Sequence, residues 1–225
     1  MKVIKSISNN QHEIIRDILS LHNSGKSIDC DITYSKGNFY GTFTDNNDNR
    51  FVIEEPQYKF DVAPQFEDVG KIEPFGNIPL DNESIQCIMI DLPFVITSPT
   101  SPSLTAENST NIIIKRFSFY SSEKELLESY RHWISEAYRV LKPNGILIFK
   151  CQPIVNSNTQ LMNNIYSCKI AEDIGFYIKD EFILVANNRL IGKVKNQYHS
   201  RKFHSYFYVF SKNENLRNRI QKKVG

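Results

Sequence analysis

The chain has 225 residues, of which 40% are hydrophobic and 23% charged, a composition that fits a globular protein of one or two domains. No stretch approaches the roughly 18 uninterrupted apolar residues of a membrane-spanning helix; even Ile85 to Ile96 is broken by Gln86, Asp91 and Pro93, which excludes a helical membrane protein. The net charge of +2 hides an asymmetry: residues 182–225 hold ten Lys or Arg against Glu214 alone, a local +9 that leaves −7 on residues 1–181. A basic segment of this kind suits a polyanionic partner, or simply stays solvated. Cys30, Cys87, Cys151 and Cys168 form no CxxC pair, so neither a zinc ribbon nor a disulfide framework is expected. The start lacks an apolar signal core, and a cytoplasmic location without metal is the expectation.

Gln11 to His22 places Ile14, Ile15, Ile18 and Leu19 at helical spacing before Asn23, Ser24 and Gly25. Ile28 to Ser35 reads as a β-like run. An Asn/Asp-rich turn at Asp45 to Asn49 precedes a strand over Tyr58 to Val62, and Gly70 to Glu73 is a further strand candidate. Ser84 to Ile90 is nearly all apolar, as in a strand covered on both faces, and it ends in Asp91-Leu92-Pro93-Phe94. Residues 97–111, rich in Ser, Thr and Pro, read as a long loop. A helix is predicted from Ser122, paired with Glu125 in a capping-box pattern, to Leu141, stopped by Pro143 and Gly145. Then come a buried strand (Ile146 to Lys150), a helix from about Asn158 to Ile174, and strands over Tyr177 to Ala186 and Phe203 to Phe210. The alternation predicts a largely parallel sheet, and the last two strands, with no helix between them, an antiparallel hairpin at one edge.

Glu136 to Lys150 (EAYRVLKPNGILIFK) resembles the helix, turn and fifth strand of class I S-adenosylmethionine-dependent methyltransferases. Asp91-Leu92-Pro93-Phe94 resembles the Asp-Pro-Pro-Tyr/Phe motif of the small, phage-type N6-adenine or N4-cytosine DNA amino-methyltransferases, with Leu92 in place of a proline. The resemblance covers most of residues 27–211. It implies a Rossmann-like α/β fold, a mostly parallel seven-stranded sheet with an antiparallel terminal hairpin and helices on both faces. Residues 1–26 are expected as a helical extension packed on the domain, 27–212 as the methyltransferase domain and 213–225 as a basic tail.

The same resemblance implies the sites. Asp91 and the Leu92 carbonyl would accept the two N–H groups of an exocyclic amine, so that its nitrogen becomes tetrahedral as positive charge develops. Phe94, after Pro93, would stack on the extruded base. Asp31, Thr33, Tyr34, Ser35 and Gly37 occupy the family's first, glycine-rich motif, of which only Gly37 is glycine. Asp61 falls where a carboxylate accepts ribose hydroxyls, and Glu73 and Phe75 where groups surround the adenine ring. Lys150, Cys151 and Gln152 end a strand on the same rim, although amine methylation needs no cysteine nucleophile. Arg189, Lys193, Lys195, Arg201 and Lys202 are candidates to hold phosphates beside that rim. Arg116, Phe117 and Tyr120 are further candidates beyond the loop.

The expected activity is methyl transfer from S-adenosylmethionine to a nucleic-acid base, adenine N6 of DNA ahead of RNA. The alternatives are an RNA, protein or small-molecule methyltransferase, and an inactive nucleic-acid-binding accessory subunit. With the catalytic fold filling the chain, target recognition is expected to be short or to need a partner chain or a second copy.

Overall fold

The computed structural model describes residues 3–96, 120–156, 158–187 and 197–218. The loop expected at 97–111, the candidates Arg116, Phe117, Arg189, Lys193 and Lys195, and residues 219–225 of the basic tail lie outside the described residues.

The chain begins with β1 (Ile7–Ser8), α1 (Gln11–His22) and β2 (Cys30–Asp31), followed by the pair β3 (Gly41–Thr44) and β4 (Arg50–Ile53). Next are β5 (Tyr58–Asp61), β6 (Gly70–Lys71) and β7 (Ile85–Ile90), then α2 (Glu123–Val140) leading without a break into β8 (Leu141–Cys151). A small pair, β9 (Ile154–Asn156) and β10 (Thr159–Leu161), precedes α3 (Asn163–Ile174), β11 (Tyr177–Val185) and β12 (His204–Ser211). The main sheet has eight strands in the order β1-β11-β12-β8-β7-β2-β5-β6. Strands β6, β5, β2, β7 and β8 are mutually parallel, and β12 is antiparallel to both β8 and β11. This is the Rossmann-like methyltransferase arrangement expected, with an eighth strand. β1 pairs in parallel with β11 (Ile7 with Ile183), so the β11–β12 hairpin is not the sheet's outermost pair.

Each face of the sheet buries its own apolar cluster. On one, Ile14, Ile15 and Ile18 of α1 pack with Cys87, Met89, Ile146, Ile148 and Phe207. On the other, Leu126, Tyr130 and Trp133 of α2 and Ile170 of α3 cover Ile88, Ile90, Leu147, Phe149 and Phe210. Successive residues of β7 and β8 thus alternate between two buried faces, which is why residues 87–90 and 146–149 are all apolar. α1 is capped by the Asn10 side chain, which accepts from the backbone N–H of His12 and Glu13. In α2 the Ser122 side chain accepts from Glu125 N, while the Glu125 carboxylate reaches back to Ser121, one residue before the partner of an ideal capping box.

The Lys142 to Gly145 turn is looped out of β8, because β7 pairs with it through Ile85 opposite Leu141 and then Cys87 opposite Ile146. A Cβ on Gly145 would lie 2.9 Å from the Lys142 carbonyl oxygen and 3.0 Å from that of Gln86, so the turn closes only with glycine there.

β2 and β5 are joined by the β3–β4 hairpin, and no helix lies between β5, β6 and β7. The hairpin's turn is tied by Asp45, whose Oδ1 accepts from Asn47 N and Asn49 N while Oδ2 takes Arg16 of α1 at 2.8 Å. The helix expected from about Asn158 starts at Asn163, and part of the preceding segment forms β9 and β10. The described part of residues 213–225 touches the domain, with Asn213 Nδ2 donating to Asn144 Oδ1. No described helix is long and apolar enough to cross a membrane.

Candidate active site

In a parallel sheet, ligands bind beyond the carboxyl ends of the strands, and here the ends of β2, β5, β7 and β8 surround one cavity of about 390 Å³. Thr33, Tyr34 and Ser35 enter its wall from the end of β2, Asp61 from β5, Asp91, Leu92 and Pro93 from β7, Lys150 from β8, and Phe75 from the loop after β6. Residues that sequence placed in separate motifs are thereby brought to one surface.

The turn after β2 works with few glycines. Ser35 takes the left-handed conformation (φ +50) that a glycine would adopt freely. Its N–H donates to Asp61 Oδ2 at 2.8 Å, and Asp61 Oδ1 accepts from Ala63 N at 2.8 Å. The carboxylate is therefore fixed by backbone, and each oxygen retains a further lone-pair direction for hydroxyl donors. Gly37 (φ +68) is not in the cavity wall; a Cβ there would lie 2.6 Å from the Tyr34 hydroxyl. Phe75 also has positive φ (+58), costly for a bulky residue, and its ring is 45% exposed. It is held there from α2: His132 packs on the ring at 5.6 Å and bonds the Gly76 carbonyl, while Arg139 donates to the Ile78 and Leu80 carbonyls.

Asp31 is fully buried behind the cavity rather than in its wall. Its Oδ1 accepts from the backbone and hydroxyl of Thr33 (2.7 and 3.0 Å) and its Oδ2 from the Tyr40 hydroxyl (2.6 Å). Burial outweighs these three donors and pushes the carboxyl up to about 7. The Thr33 hydroxyl in turn accepts from Asp91 N at 2.8 Å, so the line Tyr40, Asp31, Thr33, Asp91 fixes the start of the β7 loop. Glu73 is also absent from the wall; it is exposed and paired with Lys71.

Leu92 is 6% exposed and belongs to the core beneath α2. Where proline would restrict the backbone, this loop is anchored by a buried side chain instead. Phe94 is half-buried just outside the cavity wall. Arg201 and Lys202 precede β12 at the end of the sheet where β8 finishes, Cys151 pairing with Tyr206. The Cys151 thiol, fully buried, is pushed well above its ordinary value by desolvation, which removes it as a nucleophile.

Sequence reasoning noted Lys150 only as a rim residue. Its ammonium lies 2.8 Å from Asp91 Oδ2. The available signal was a lone charge in the apolar run Ile146 to Cys151, facing the loop after the neighbouring strand. Trp133 and Phe39 also line the cavity, and no motif singles them out.

The profile of the N6/N4 DNA methylase family matches residues 85–224, more than half of the chain. The chain belongs to this DNA methylase family. The matched span includes Asp91 to Phe94 and the β8 signature, whereas Asp31, Asp61 and Phe75 lie before it. A Thermus thermophilus protein described as a candidate DNA modification methylase is 15% identical, with 60% of this chain covering 47% of that one at a TM-score of 0.36. The chain therefore spans about half of that protein's length. A chain from the Haloferax volcanii complex of the Trm112 methyltransferase activator and its methyltransferase is 11% identical (91% and 90% covered, TM-score 0.45). A Thermotoga maritima S-adenosylmethionine-dependent methyltransferase is 15% identical (83% and 82% covered, TM-score 0.40). No match is found among curated proteins.

Proposed function

We propose that this methylase transfers a methyl group from S-adenosylmethionine to an exocyclic amine of a nucleic-acid base, adenine N6 of DNA being the preferred acceptor. The observation that carries the reading is the shared cavity. Asp91, at the end of β7, and Asp61, at the end of β5, line the same wall together with Thr33, Ser35 and Phe75. The residues fit the cofactor: the backbone-fixed Asp61 carboxylate suits a ribose diol, and the exposed, strained Phe75 ring suits an adenine face. S-adenosylmethionine supplies a methyl on a positively charged sulfur, open to attack by a neutral amine.

Asp91 and the Leu92 carbonyl would hold the amine's two N–H groups, freeing the nitrogen lone pair from the ring. Asp91 would stabilise the positive charge that develops on the nitrogen as it takes up the methyl group, and the surplus proton would pass by way of its carboxylate to water. Pro93 and Phe94 border the acceptor side. Arg201 and Lys202, with Arg189, Lys193 and Lys195, would meet phosphates, making binding fall with added salt. A sequence-reading partner chain or second copy completes this proposal.

Incubation with methyl-labelled S-adenosylmethionine and DNA, RNA or protein tests it. Label on DNA adenine N6, reduced about 10²- to 10³-fold by Asp91→Ala with cofactor binding retained, is the expected result. Label on RNA or protein alone, or none at all, would overturn it.

A further inference from the structure

The Asp91–Lys150 pair is a small recognition element in its own right. Lys150 Nζ donates to Asp91 Oδ2 at 2.8 Å, and the two side chains are only 16% and 22% exposed. The ammonium also sits 5.1 Å from the centre of the Phe39 ring and 5.6 Å from that of Phe207. Aromatic faces attract a cation without occupying an acceptor. An ammonium has three N–H donors, and Asp91 is the acceptor that takes one of them among the described residues. Among those residues, none donates to Asp91 Oδ1. Both groups line the cavity.

The pair therefore presents a hydrogen-bond acceptor and a donor side by side, on two adjacent parallel strands. We propose that Lys150 is a specificity-determining residue that reads the ring nitrogen beside the reactive amine while it fixes the Asp91 carboxylate. The inference rests on the function proposed above and names the base edge that the site takes. Adenine carries an N6–H donor next to the N1 acceptor, and cytosine an N4–H donor next to N3. Guanine and thymine place an oxygen acceptor and a ring N–H donor at those positions, so against them both contacts would be left unmade and buried. Lys150 also restrains the carboxylate, whose terminal torsion is otherwise broad. Asp91 is then held through its backbone by Thr33 on the β2 side and through its side chain by β8.

The test uses an oligonucleotide site that the wild-type protein methylates, with the target adenine replaced by 1-deazaadenine, which has C–H in place of N1. A cytosine target takes 3-deazacytosine. Removing the ring nitrogen makes the amine more nucleophilic, so chemistry alone would speed transfer. In single-turnover transfer the wild type is expected to be about tenfold or more slower on the analogue. Lys150→Met is expected to be slow on the natural base, with no further loss on the analogue and cofactor affinity within about twofold of wild type, and Lys150→Arg to keep part of the discrimination. A wild type that treats the two bases alike, or a Lys150→Met protein that keeps the wild-type ratio, overturns the inference. The wild-type comparison stands even if a variant fails to fold. Wild-type protein that methylates no nucleic acid overturns the proposed function itself, which is a different result from an active enzyme indifferent to the analogue.

Discussion

The two wings of the sheet meet at the candidate active site but are held together differently. β2, β5 and β6 contribute two, four and two residues, whereas β7, β8, β11 and β12 contribute six, eleven, nine and eight. The long-strand wing is centred on the apolar residues 87–90 and 146–149, which are covered on both faces. The short-strand wing relies on buried or half-buried carboxylates that tie loops to strands: Asp29 to Gln86 N and Cys87 N, Asp31 to Thr33 and Tyr40, Asp61 to Ser35 N and Ala63 N. The lesson is that the turns around the cavity are stabilised by directional bonds, while the strand carrying Lys150 gains its rigidity from packing.

The difference can be broken from either side. Phe149→Ala removes a fully buried ring packed edge-on against Tyr130 at 5.1 Å. A loss of about 3–5 kcal/mol in urea unfolding is expected, the largest effect of the set. In the other wing, Asp29→Ala leaves the Gln86 and Cys87 amides without their acceptor, and about 2 kcal/mol should be lost in the same measurement. An equal or larger loss at Asp29 would reverse the comparison.

A third effect is a slope rather than a single loss. Asp31, held near 7 when folded against about 3.9 when unfolded, keeps its proton in the native state over a range where the unfolded chain has released it. Its contribution is therefore greatest below about pH 4 and is lost as pH rises to about 7, at up to roughly 1 kcal/mol per pH unit. Unfolding of Asp31→Asn, followed over the same range, should lack that component. An unchanged slope would mean that the three donors keep Asp31 ionised.

The long-strand wing was legible in the sequence because its signals are redundant. Residues 87–90 of β7 and 146–149 of β8 are continuous apolar runs, and α2 has both a cap and a heptad-like face, so each element is specified several times over. The short-strand wing was not. β3 and β4 are half-exposed strands whose pairing depends on one Asp45-centred turn, and Ile28 to Ser35 looks like a strand although only Cys30 and Asp31 pair. The site followed the same division. Asp91, Leu92 and Pro93 line the cavity as the motif suggested, but a motif could not tell that Asp31 stands behind the wall, that Glu73 points to solvent, or that Lys150 reaches across to Asp91. Those are facts of distance between strands, which a linear pattern does not encode.

The short parallel contact of β1 with β11 sets an order of events. Ile7 pairs with Ile183 and Ser8 with Leu184, and α1 lies against Phe182 in the same cluster. During synthesis these contacts must wait until residue 184 has emerged. Until then Ile14, Ile15 and Ile18 lack part of the surface that finally covers them, and exposed apolar surface in a partly made chain is where aggregation and chaperone capture begin. The edge strand thus makes closure of the sheet a late step in biosynthesis, and the turns of α1, made well before residue 184, are among the last to be sealed.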